Sequence, residues 1–201
     1  MTVKAGGKVV MEESAALNFK GSSTVQTLVQ HDATSYNNKL AEQYFGGGTQ
    51  NGRFVHTGQS INIANESKWN DGNVSSPSPF YYTSNGYGVL RNTWQNGVYD
   101  FGNSTPGTVT ATHNENEFDA YYFVSDQVNS AQANGSTVAQ ELLKGYFKVT
   151  GDPVLLPAYG FYLGHLNAYN RDAWSDTNPG SGSAWNVKGS DAYNSAGTTQ
   201  Y

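Results

Sequence analysis

With no cysteine in the chain, reactive chemistry falls to its carboxylates, histidines and hydroxyls. A disulfide framework, a thiolate metal site and a cysteine nucleophile are excluded together. The four histidines, His31, His56, His113 and His165, lack metal-ligand spacing, so structural roles are expected for them, with no metal and no cofactor. No Gly-x-Ser-x-Gly elbow occurs, which leaves a serine triad without its usual local signature. Gly46-Gly47-Gly48-Thr49-Gln50 has the look of a phosphate cradle but lacks the Gly-Lys-Ser/Thr ending. It reads as a tight turn needing positive φ. Trp69-Asn70-Asp71-Gly72-Asn73 is more pointed, because it sets an indole beside a carboxylate and amides. Sugars are held that way: an aromatic face stacks on C–H groups while Asp and Asn bond vicinal hydroxyls. The alternative is an Asx-type turn with a buried Trp.

Positioning such groups requires a folded scaffold, and the composition describes one. The chain has 201 residues, enough for one large or two small domains. Charged residues make up 13% and aromatics 13%, with 14 Tyr, 9 Phe, 4 Trp and 23 Gly. A disordered chain shows the reverse balance. The formal charge of −5 argues against duplex nucleic acid or an anionic membrane as partner. No apolar run reaches the roughly 18 residues of a membrane span. The segment Met1–Val10 has no apolar core of signal-peptide type. The chain is thus either intracellular or without its leader.

Most segments read as short strands between turn residues. Strand signals lie at Lys8–Met11, Val25–Val29, Arg53–His56, Ser60–Ile63, Pro79–Tyr82, Tyr87–Leu90 and Thr108–Thr112, with a largely buried one at Phe118–Val124. Gly46-Gly47-Gly48, Asn70–Asn73 and Asn96-Gly97 read as breakers, and Ser84-Asn85-Gly86 as a type I′ hairpin. Such spacing predicts an antiparallel sandwich or barrel. One helix follows, capped by Ser136 or Thr137, with Leu142, Leu143, Tyr146 and Phe147 on one face and Gly151 and Pro153 ending it. Pro157–Leu163 then reads as a strand buried on both sides.

A series of segments carries a resemblance. Gly46–Phe54, Trp69–Gly72, Ser76–Tyr81, Gly86–Thr93 and Tyr99–Gly102, in that order, resemble the N-terminal β-sandwich of glycoside hydrolase family 31, the α-glucosidase and α-transglucosylase family, in its bacterial type. Leu142–Tyr146 with Thr150–Pro157 is similar to the family's link into a (β/α)₈ barrel, and Phe161–His165 to the first barrel strand. The likeness runs from about Tyr44 to Trp174.

The resemblance implies a mainly β fold: a galactose-mutarotase-like antiparallel sandwich over 1–126, a linking helix and connector over 127–157, and the first strand and loop of a truncated (β/α)₈ barrel over 158–201. It implies retaining chemistry by two aspartates placed late in the barrel. None of Asp32 to Asp191 sits in a segment like the family's nucleophile, so this chain alone is expected to be inactive. Its implied role is to pack on the catalytic barrel and shape a pocket for α-linked gluco-oligosaccharides. By the same resemblance Asp71 is the carboxylate offered to the sugar, with Trp69 as a wall, and His165 lines the pocket. The residue-level alternative for Asp71 is an Asn-Asp-Gly turn. A self-standing carbohydrate-binding module or surface lectin, and a purely structural surface domain, are the competing expectations. A secreted or cell-surface bacterial setting is favoured over the cytoplasm.

Overall fold

A computed structural model describes residues 1–31, 42–65, 72–129, 135–155 and 157. The chain divides into two units, Met1–Pro153 and Val154–Tyr201. The expected barrel strand, Phe161–His165, lies outside the described residues.

Among the described residues of the first unit eleven strands run in the order β1 Thr2–Ala5, β2 Lys8–Glu12, β3 Asn18–Lys20, β4 Ser23–Val29, β5 Tyr44–Gln50, β6 Ser60–Ile63, β7 Val74–Thr83, β8 Tyr87–Arg91, β9 Gly97–Phe101, β10 Thr108–His113 and β11 Ala120–Val124. A 3-10 turn at Asp126–Asn129 and helix α1, Gly135–Thr150, follow. One antiparallel sheet has the order β3-β4-β10-β9-β6, a second β11-β8-β7-β5, and β1-β2 form a separate ribbon. The fold is therefore mainly β, an antiparallel sandwich followed by a helix, as expected.

Alternation builds the inner layer. β4 and β10 bury every second residue, which turns Leu28, Val109 and Ala111 to the core. Aromatics from both sheets meet there: Tyr44 stacks on Phe101 at 4.7 Å, and Tyr81 meets Tyr99 and Phe101 edge-on, each at 5.3 Å. On the other face of the second sheet, α1 buries Val138 and Leu142 against Phe80 and Phe123. Tyr146 of that helix stacks on Phe80 at 4.1 Å. The helix begins at Gly135, so Ser136 and Thr137 fall inside its first turn rather than before it. Gly151, φ +89, closes it by donating to the Phe147 carbonyl at 2.8 Å.

Four local expectations are corrected. Gly46-Gly47-Gly48 is not a turn but the middle of β5, with positive φ at all three and a register shift against β7. The strand lies so close to β7 that a Cβ on Gly48 would stand 2.1 Å from the Ser76 carbonyl oxygen. Glycine is required by a bulge, not by a chain reversal. Arg53–His56 is a loop, with Phe54 outward and His56 buried, because Gly52 and Gly58, both at positive φ, turn the chain on either side. The β7–β8 hairpin closes by Gly86 donating to the Thr83 carbonyl, which makes Ser84 and Asn85 the central pair. Gly86 at φ +96 then completes a three-residue connection rather than a type I′ one. β11 is a sheet edge that buries only Phe123, not a largely buried strand.

Buried Arg91 cross-ties the layers. From the end of β8 its guanidinium reaches Thr24 Oγ1 in the other sheet at 3.3 Å and the carbonyls of Glu117 and Asp119, each at 3.3 Å. It pairs with Glu115 and lies 4.1 Å from the Phe118 ring centre.

The β5 bulge yields a paired test. Gly48→Ala combines φ +79 with backbone clashes, whereas Gly58→Ala combines φ +72 with open space. Expected losses are about 3 kcal/mol or more for the first and about 1 kcal/mol for the second. Thermal or urea melts of the two variants read the difference, and equal midpoints would contradict the close approach.

Candidate functional site

The three sequence-selected site residues, Trp69, Asp71 and His165, lie outside the described residues. What is described is the stem that carries the first two. β6 closes one edge of the five-stranded sheet, and β7 lies second from the edge of the other sheet. The strands on either side of the 64–73 connection therefore belong to different sheets. Its returning arm is stapled to the end of β5: Gly72 N donates to the Asn51 carbonyl, and Asn51 N to the Asn73 carbonyl, each at 2.9 Å. Ser75 Oγ adds a bond to Asn51 Oδ1. The stem is thus fixed by neutral backbone and amide groups.

Several buried and half-buried carboxylates have structural partners. Asp100 accepts from the backbone N–H groups of Gly102, Asn103 and Ser104 and from Ser104 Oγ, so it caps the turn after β9. Glu42 pairs with His31 at 3.4 Å and accepts from the His31 N–H at 2.9 Å. It sits beside Tyr44, Tyr81 and Tyr87, whose phenols are pushed up, first by burial and then by neighbouring acidic groups including Glu42. Glu141 accepts from Ser125 Oγ. No group of three or more His, Asp or Glu side chains could hold a metal among the described residues.

Two histidines are locked by their hydrogen bonds. His113 Nδ1 lies 3.0 Å from the Gln95 carbonyl and must donate to it, which leaves Nε2 to accept from Tyr99 Oη at 2.9 Å. His56 Nε2 likewise donates to the Gly46 carbonyl at 3.0 Å. Burial holds both imidazoles below their ordinary range, so they stay neutral. These two expectations of structural histidines agree with the geometry.

A feature not singled out in the sequence is an open hollow of about 550 Å³ between the β8–β9 connection and the C-terminal end of α1. It arises from strand mismatch. β8 pairs with β7 only over Phe80–Tyr82, and below that register β7 carries Pro77 and Pro79, which have no N–H to give a neighbour. The chain leaves the sheet after Arg91 and returns at Gly97, and the gap is lined by Leu90, Asn92, Trp94, Gln95, Asn96 and Tyr146. Asn92-Thr93-Trp94-Gln95-Asn96 has the same indole-among-amides composition as the 69–73 segment, and that signal could have found it.

No protein-family model matches the chain. An alpha-xylosidase of Emericella nidulans is 33% identical over 129 residues, which cover 62% of this chain and 15% of that protein. A Flavobacterium johnsoniae GH31 dextranase, solved with glucose, superposes with a TM-score of 0.59 at 18% identity, over 75% of this chain and 17% of that one. A cycloalternan-forming enzyme of Listeria monocytogenes, solved with a pentasaccharide substrate, gives 0.58 at 15% identity, over 75% and 14%. The chain spans less than a fifth of the length of each. These matches bear out the family 31 resemblance over the N-terminal region of this chain.

The locked histidines set a pH dependence. The unfolded chain takes up protons on both as the pH drops through about 6.5, while the folded chain does not. Stability present above that pH is therefore lost below it, with a limiting slope of about 1.4 kcal/mol per pH unit for each imidazole. Urea midpoints should fall between about pH 6.5 and 5.5, and His56→Gln with His113→Gln should flatten the fall. A midpoint that rises on acidification would contradict the neutral assignment.

Proposed function

We propose that this chain is the non-catalytic N-terminal part of a family 31 α-glucosidase or α-glucosyltransferase acting on α-linked gluco-oligosaccharides. On this reading the sandwich, of galactose-mutarotase-like type, packs on a catalytic barrel, and the connection between β6 and β7 reaches over the barrel mouth. Asp71 would then bond sugar hydroxyls near the cleavage point, Trp69 would wall the subsite, and His165 would line the pocket from the first barrel strand. The observation that carries the reading is the stapled stem at Asn51, Gly72 and Asn73, since a loop that contributes to a site needs a rigid base. It also fits the sugars held by the neighbours, glucose and isomaltotriose in the dextranase.

Chemistry supports the non-catalytic half of the proposal. Retaining hydrolysis needs two carboxyl groups about 5 Å apart across the scissile bond, one as nucleophile and one as acid. Here Asp100, Glu42, Glu115 and Glu141 are each engaged in holding a turn, a histidine, an arginine or a serine. A carboxylate committed to such partners is poorly placed to attack or to protonate a sugar.

The test is a glycosidase assay of the purified 201-residue chain with isomaltose, maltose and a chromogenic α-glucoside. No release of glucose or chromophore above the buffer rate is expected. Turnover that survives repurification and disappears in Asp71→Asn would overturn the proposal.

A further inference from the structure

The hollow beside Trp94 invites a ligand of its own. Trp94 is fully exposed, although its neighbours on both sides in the sequence are tied down. Asn92 N donates to the Asp119 carbonyl at 3.0 Å, and Asn92 Nδ2 to Asp119 Oδ2 at 2.7 Å. Thr93 Oγ1 donates to Glu115 Oε2 at 2.6 Å and accepts from the Gln95 N–H at 3.0 Å. The carbonyls of Gln95 and Asn96 accept from His113 Nδ1 and the Asn114 N–H. The loop is thereby held at both ends and from beneath, and it presents the indole from a backbone that needs no further ordering on binding.

Folding gains nothing from that ring, which still has most of its apolar area to bury. Its surroundings select the chemistry. Asn92, Gln95 and Asn96 border the hollow, and among the described residues of its lining the one charged group, Arg91, is buried and paired with Glu115. Amides both donate and accept, as hydroxyl groups do. Leu90 and Tyr146 supply an apolar flank, with the Tyr146 ring fixed against Phe80. Because Arg91 is already paired with Glu115, a phosphate or a carboxylate finds no uncompensated cation among the described lining residues. An exposed indole with adjacent amides suits a pyranose, whose C–H face is apolar and whose rim is hydroxylated.

We infer that the hollow between the β8–β9 connection and α1 is a binding site for a neutral oligosaccharide, with Trp94 as its stacking platform and Gln95 and Asn96 bonding sugar hydroxyls. The described lining comes from the first unit alone, chiefly from β7, the β8–β9 connection and α1.

Calorimetric titration of the 201-residue chain with isomaltotriose and with maltotriose tests it. Saturable binding of one or both is expected, with a Kd on the order of a millimolar. Trp94→Ala should weaken it about tenfold or more with an unchanged melting temperature, Trp94→Phe should recover part of the loss, and Trp69→Ala should leave it intact. The pair Gln95→Ala and Asn96→Ala should weaken it without altering the indole. Absence of saturable binding to both trisaccharides, or binding that Trp94→Ala leaves unchanged, would overturn the assignment. Either result can be read whether or not the chain hydrolyses sugars.

Discussion

The burial of one positive charge, the Arg91 guanidinium, organises much of this domain. Desolvation disfavours it first, and Glu115 opposes that cost most strongly. A buried pair of this kind is a poor source of net stability but is costly to break from one side, because the partner is left uncompensated. Its value here lies in what it holds together. Arg91 ends β8, reaches across the sandwich to Thr24 on β4, and gathers the 115–119 segment through Glu115, Glu117 and Asp119. Glu115 then takes the Thr93 hydroxyl, and Asp119 takes Asn92. The loop that bears Trp94 is thus positioned by the same clamp that joins the two sheets.

A second constraint is steric. β5 approaches β7 more closely than any side chain allows, and the three consecutive glycines make that possible. The two prolines of β7 act in the opposite sense, since they withhold the N–H groups that would extend the pairing with β8. The same stretch of β7 is pulled tight on its β5 side and left open on its β8 side, and the open side is the hollow. Loops gathered around a rigid sandwich are where binding groups are usually found. Both indole-and-amide segments, 69–73 and 92–96, occupy connections next to such rigid strands.

Much of the fold was legible because its signal is periodic. β4 and β10 alternate along their whole length, and α1 places Leu142 and Tyr146 one turn apart. The failures share a cause, which is tertiary contact overriding a local code. Gly46-Gly47-Gly48 reads as a turn by propensity, yet its conformation answers to the backbone of β7. Arg53–His56 alternates like a strand, but flanking glycines turn it into a loop that buries His56 and exposes Phe54. In the sequence Arg91 is only part of a family-like string, since nothing there marks an arginine for burial. The indole-among-amides composition around Trp94 is legible, but the 550 Å³ hollow beside it comes from β7 outrunning β8, a register that no single segment encodes.

The central claim is that this sandwich presents a sugar-facing surface and carries out no cleavage. A proton–nitrogen correlation spectrum of the labelled chain, followed over days with isomaltotriose, reads both halves in one tube. The account predicts that the Trp94 indole N–H and the amides of residues 92–96 shift with saturation while the trisaccharide stays intact. Release of glucose, or a spectrum in which the Trp94 signals never move, would contradict it.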